Sequence, residues 1–116
     1  MIEQVPLRQL SSSYDVQDLY PQAIVEEPIS YFSSRLKFEE AADDLDEFLG
    51  AAFVINEKYV GALKHYRGRP RDETTIYLPS TITGLAEITA IIRVILEELN
   101  INVGALKWER QMNPEL

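Results

Sequence analysis

The sequence predicts an α+β fold: an antiparallel sheet of four or five strands, one long amphipathic helix across one of its faces, and a C-terminal closing strand. Three observations carry this expectation. Phe48–Leu78 reads as a three-stranded meander, rich in β-branched and aromatic residues between recognisable turns. Apolar residues then recur at spacings of three and four from Leu85 to Leu99. Finally, Ala105–Arg110 alternates apolar Leu106 and Trp108 with polar Lys107 and Glu109.

The first strand of the meander sends Leu49, Ala51, Phe53 and Ile55 to one face and Ala52 and Val54 to the other. A strand that is apolar on both faces belongs in a sheet covered on both sides. Asn56 and Glu57 form a short polar break, and Asn tolerates the left-handed backbone of a tight hairpin. The second strand, Lys58–Tyr66, places Tyr59, Gly61, Leu63 and His65 opposite to Val60, Ala62, Lys64 and Tyr66. The loop Arg67–Glu73 holds Gly68 and Pro70, which a central strand does not tolerate, so a second hairpin closes there. Thr74–Leu78 is the third strand, and Pro79, lacking a backbone donor, ends its pairing.

The helix is expected over about Gly84–Leu99, with Ile88, Ile92 and Ile95 on its buried stripe and Ile91 and Leu96 beside them. Thr83 is placed to accept from the free amides of the first turn, Glu87 suits the positive pole, and Asn100 suits a left-handed stop. Before the meander the pattern is weaker. Residues 1–28, divided by Pro6, Pro21 and Pro28, read as a partly irregular arm with a short helix around Tyr14–Tyr20. Phe32, Leu36 and Phe38 share even spacing, which favours a strand over Ile29–Phe38, followed by a short acidic helix or loop; an amphipathic helix from Ser30 through Phe48 competes with it. Residues 29–110 are thus expected as a single domain and 111–116 as a loose tail. The helix covers only one sheet face, so the arm or a second copy must cover Ala52, Val54, Val60 and Ala62, and a homodimer is the expectation.

The length, 116 residues, suits one core that buries roughly two thirds of the unfolded surface. Cysteine is absent, which excludes disulfides, thiolate metal sites and cysteine nucleophiles. The opening residues carry Glu3 and Arg8 without a signal-peptide apolar run, and no stretch reaches the about eighteen apolar residues that span a bilayer. A soluble, cytoplasmic protein without membrane partners is expected. A formal net charge of −8 repels phosphate, so nucleic acid is not an expected partner.

Against that acidic background, Lys64, His65, Arg67, Arg69 and Arg71 fall within eight residues, with Tyr66 among them. Guanidinium groups beside an aromatic ring are a common means of holding an anion or a partner surface, and these residues are the candidate binding site. The plainer reading is a solvated hairpin loop with some charges paired to Asp72, Glu73 or the acidic run. That run, with Glu39, Glu40, Asp43, Asp44, Asp46 and Glu47 in six of nine positions, does not match a calcium loop and reads as a solvated face, so no metal is expected. A charge-mimic role in a partner's basic cleft rests on composition alone. His65 is the only histidine, which rules out a two-histidine site, and nothing around it in sequence builds a catalytic pocket. The serines lack a nucleophile elbow and the glycines form no phosphate cradle, so neither catalytic residues nor a cofactor are assigned. Trp108 is an interface candidate, although packing at the sheet edge against the helix is the preferred reading. The functional expectation is a non-enzymatic protein-interaction or regulatory module of the inhibitor or immunity type. The alternative is a small enzyme or anion-binding protein with its site at Lys64–Arg71 between protomers.

Overall fold

The computed structural model describes residues 2–8, 19–42 and 46–110. It contains an antiparallel sheet of seven strands: β1 (Ile2–Val5), β2 (Leu19–Val25), β3 (Glu39–Ala42), β4 (Glu47–Ile55), β5 (Tyr59–Tyr66), β6 (Thr74–Pro79) and β7 (Leu106–Glu109). Among the described residues one α-helix, α1 (Leu85–Glu98), lies between β6 and β7 in sequence. The strand order is β1-β4-β5-β6-β2-β7, with β3 also paired to β4. The fold class and the meander are as expected, and the strand count is higher.

The additional strands come from segments read as irregular. Residues 1–28 contribute β1, on the outer edge of β4, and β2, which inserts between β6 and β7. Of the helix expected around Tyr14–Tyr20, Leu19 and Tyr20 belong to β2, and the remainder lies outside the described residues, as does the 111–116 tail. The strand expected over Ile29–Phe38 is instead a 3-10 helix (Ile29–Phe32) that continues as a hydrogen-bonded turn and then irregular chain. There the Leu36 amide donates to the Phe32 carbonyl at 2.9 Å, so both side chains enter the core from one helical turn. Spacing by four serves a helical turn as well as a strand face. The acidic helix or loop expected next begins as β3, because β1 pairs only with Ala52–Ile55 and leaves the Glu47–Gly50 edge of β4 to another strand.

The β4–β5 hairpin turns on Asn56 and Glu57 at φ 52° and 60°, and the Lys58 amide donates to the Ile55 carbonyl at 3.0 Å. Two consecutive left-handed residues form the turn whose twist matches the flanking strands. Helix α1 begins one residue later than a Thr83 cap requires. Gly84 occupies the capping position and has no side chain to donate or accept, so that expectation is corrected. The far end matches its sequence: Asn100 takes φ 60°, its amide donates to the Glu97 carbonyl, and the Ile101 amide donates to the Leu96 carbonyl. This pair of bonds is the left-handed helix stop.

Helix residues Ile88, Ile91, Ile92, Ile95 and Leu96 pack on one sheet face, against Ala23, Val25, Phe53, Ile55, Leu63, Ile76 and Leu78, with Phe32 and Leu36 closing the side. Arg93 donates to both carboxylate oxygens of Glu109, at 2.9 and 2.8 Å, which ties β7 to the helix. The second face divides in two. Ala52 and Val60 are covered by Val5, Leu7 and Leu19 from the N-terminal residues, while the end nearer the β5–β6 loop carries aromatic side chains with no helix among the described residues over them.

Candidate functional site

Strand alternation divides the basic loop. Lys64 and Tyr66 project on the second face and His65 on the other, as the pairings Lys64–Thr75 and Leu49–His65 require. The loop is then held by two turns, in which the Arg69 amide donates to the Tyr66 carbonyl and the Glu73 amide to the Pro70 carbonyl. Its arginines are directed inward along the surface rather than to a common point. Arg67 donates to Glu47 at 2.9 Å, an exposed pair, and Arg69 donates to Glu73 at 2.8 Å. Arg71 is exposed and has no ion-pair partner among the described residues. The expected anion-binding set is therefore dispersed, with two of its guanidinium groups already facing carboxylates.

Glu73 is the centre of the loop's electrostatics. It is 4% exposed, yet it accepts from both Arg69 and Lys107, which joins the β5–β6 hairpin to β7. The Lys107 ammonium lowers its pKa from the usual carboxylate value; burial acts against that, and Arg69 adds to the lowering. The Glu73 carbonyl oxygen lies 2.8 Å from Nδ1 of His65. A carbonyl only accepts, so Nδ1 carries the proton and Nε2 is the other, acceptor nitrogen of the neutral ring. Among the described residues no carboxylate hydrogen-bonds to His65.

Two concavities flank this loop. The first, of about 690 Å³, lies on the second sheet face and is lined by Pro21, Ile24, Tyr66, Arg69, Tyr77 and Trp108, among others. Trp108 sits opposite Ile24 in the β2–β7 register and is 44% exposed, so the expected packing against the helix is corrected. Leu106 contacts the core in its place. Tyr66 and Tyr77 stand 6.4 Å apart, Phe48 is 5.2 Å from Tyr66, and the Lys64 ammonium lies 4.6 Å from the Phe48 ring and 4.7 Å from the Tyr77 ring. The lysine is thus part of the aromatic layer, where the ring quadrupoles attract it. Phe48, Tyr77, Pro21 and Ile24 were not legible as site residues. For Phe48 and Tyr77 the signal was present in alternation with Lys64 and Tyr66, whereas Pro21 and Ile24 depend on β2 entering the sheet beside β6.

The second concavity, of about 600 Å³, lies where β3, β4 and β5 end, and Glu40, Ala42, Glu47, Leu49, His65 and Arg67 line it, among others. It is the meeting point of the basic loop and the acidic run. Within that run, Glu39 accepts from the Leu7 amide at 3.1 Å and Asp46 from the Glu47 amide at 2.7 Å; Asp43 and Asp44 lie outside the described residues. Among the described residues no group of three or more histidine or carboxylate side chains is disposed to hold a metal ion, and no helix is long and apolar enough to cross a membrane.

Compared with protein-family models, curated proteins and solved structures, the chain matches none.

Proposed function

We propose that this chain is a protein-interaction module, regulatory or inhibitory in kind, whose contact surface is the open half of the second sheet face. The carrying observation is Trp108, 44% exposed at the rim of an aromatic concavity that also holds Tyr66, Tyr77 and Arg69. Trp, Tyr and Arg are the side chains that dominate binding energy at protein interfaces, and a sheet face presents them on a rigid support. The partner is another protein or a second copy of the chain, and light scattering at micromolar concentration separates these.

The alternative of an enzyme or anion-binding protein at Lys64–Arg71 draws on the cleft that His65 and Arg67 share. Two facts weigh against an anionic substrate there. The Nδ1 position of His65 is taken by a backbone carbonyl rather than a carboxylate, and Glu40 and Glu47 oppose negative charge in the same cleft.

The test is affinity capture from lysate of the source organism with wild type, Trp108→Ser and Trp108→Phe, each first checked for unchanged thermal unfolding. One dominant partner, retained by wild type and Trp108→Phe and weakened by about tenfold or more in Trp108→Ser, is the expected result. An identical set captured by all three variants, with no self-association that depends on Trp108, would remove the basis of the reading.

A further inference from the structure

The cleft at the end of β3, β4 and β5 has a chemistry distinct from the aromatic face. Ala42 and Leu49 give it an apolar floor, and Glu40, Glu47, His65 and Arg67 supply its polar groups. Arg67 reaches Glu47 through Nη1 alone, and Glu40 makes no ion pair among the described residues. With Nδ1 of His65 committed to the Glu73 carbonyl, Nε2 of the neutral ring is an acceptor. Two carboxylates against one guanidinium leave the lining net negative, within a chain of formal charge −8. Electrostatics therefore selects a cation, and the spacing of the acceptors does not suit a bare metal ion.

We propose that this cleft binds a primary ammonium group carried on an aliphatic stem. The stem lies on Leu49 and Ala42, as long basic side chains lie on apolar surface, and the ammonium donates to Glu40, Glu47 and His65 Nε2. A free alkylamine and a lysine side chain of a partner protein share this chemistry. The charged and titratable groups that share the cleft with the imidazole are Glu40 from β3, Glu47 from β4 and Arg67 beyond the end of β5, with the Glu73 carbonyl at its Nδ1.

Because His65 is the only histidine, its imidazole resonances report on this cleft without ambiguity. Butylammonium, butyrate, butanol and acetylated tetralysine amide are titrated against the full chain by NMR. Butylammonium is expected to shift the His65 signals saturably. Butyrate and butanol are expected to do nothing, and Glu40→Gln, alone and combined with Glu47→Gln, to weaken the shift. Binding of the lysine peptide without the amine would assign the source to a protein side chain; binding of both would make a free amine sufficient. No saturable shift with either cation, an equal shift with butanol, or a shift unchanged in the folded Glu40→Gln and double variants would overturn the proposal. The Trp108 indole signal stays in place throughout, so the result is independent of the aromatic face.

Discussion

Removing the two cations around Glu73 should cost more than removing Glu73 itself, although each change abolishes the same ion pairs. Glu73 is 4% exposed, whereas the side chains of Arg69 and Lys107 are each 48% exposed. In Glu73→Gln the cations return to water, and the loss of charge-assisted hydrogen bonds is partly offset by the carboxylate desolvation no longer incurred, for a net cost of about 1–2 kcal/mol. In Arg69→Met with Lys107→Met a buried carboxylate remains without a counter-charge, and that asymmetry raises the cost to about 3–5 kcal/mol. The pH dependence has opposite signs in the two backgrounds. In wild type the folded-state pKa of Glu73 is lowered, so its contribution is present above the unfolded-state value and is lost as pH falls through the folded one. In the double variant burial acts alone and raises the pKa, so the penalty is largest at neutral pH and shrinks as acid protonates the carboxylate. Urea denaturation at pH 7 and pH 4.5 reads both effects. With a urea slope of about 1–1.5 kcal/mol/M, the double variant should unfold at least about 0.7 M earlier than Glu73→Gln at pH 7, with a smaller gap at pH 4.5. Equal midpoints at pH 7, or a gap that grows in acid, would refute the assignment of Glu73 as the buried charge that the two cations neutralise.

Two further outcomes follow from backbone geometry. Glu57 holds φ 60° in the second position of the β4–β5 turn, where glycine carries no steric cost, so Glu57→Gly should stabilise the protein by about 0.5–1 kcal/mol in a thermal melt; destabilisation would argue against the left-handed turn. At Gly61 a β-carbon would stand 2.9 Å from the Phe53 ring and 3.3 Å from the Tyr77 carbonyl, both in the packed sheet, so Gly61→Ala should lower stability by about 1–3 kcal/mol, and an unchanged urea midpoint would count against that packing.

What the sequence determined by itself was local. The period of the helix from Leu85, the left-handed tolerance of Asn56 and Asn100, and the break at Gly68 and Pro70 are properties of neighbouring residues, and they recur as α1, the turn, the helix stop and the β5–β6 loop. The division of Lys64 and Tyr66 from His65 was equally legible, because alternation is a property of one strand. The tertiary structure decided which segments had a partner to pair with. β1, β2 and β3 carry Pro21, Glu39 and Glu40, and little local pattern marks them as strands; they are strands because the edges of β4 and β6 offer unpaired backbone groups that burial leaves no other way to satisfy. The same contingency placed Trp108. Once β2 took the position beside β6, β7 fell at the outer edge, the register opposite Ile24 turned the indole away from the helix, and Pro21, Ile24, Tyr66, Tyr77 and Trp108 came together from β2, β5, β6 and β7. A surface assembled across strands so distant in the chain is fixed by pairing order, and pairing order is set by long-range burial and backbone satisfaction rather than by the preferences of any one stretch.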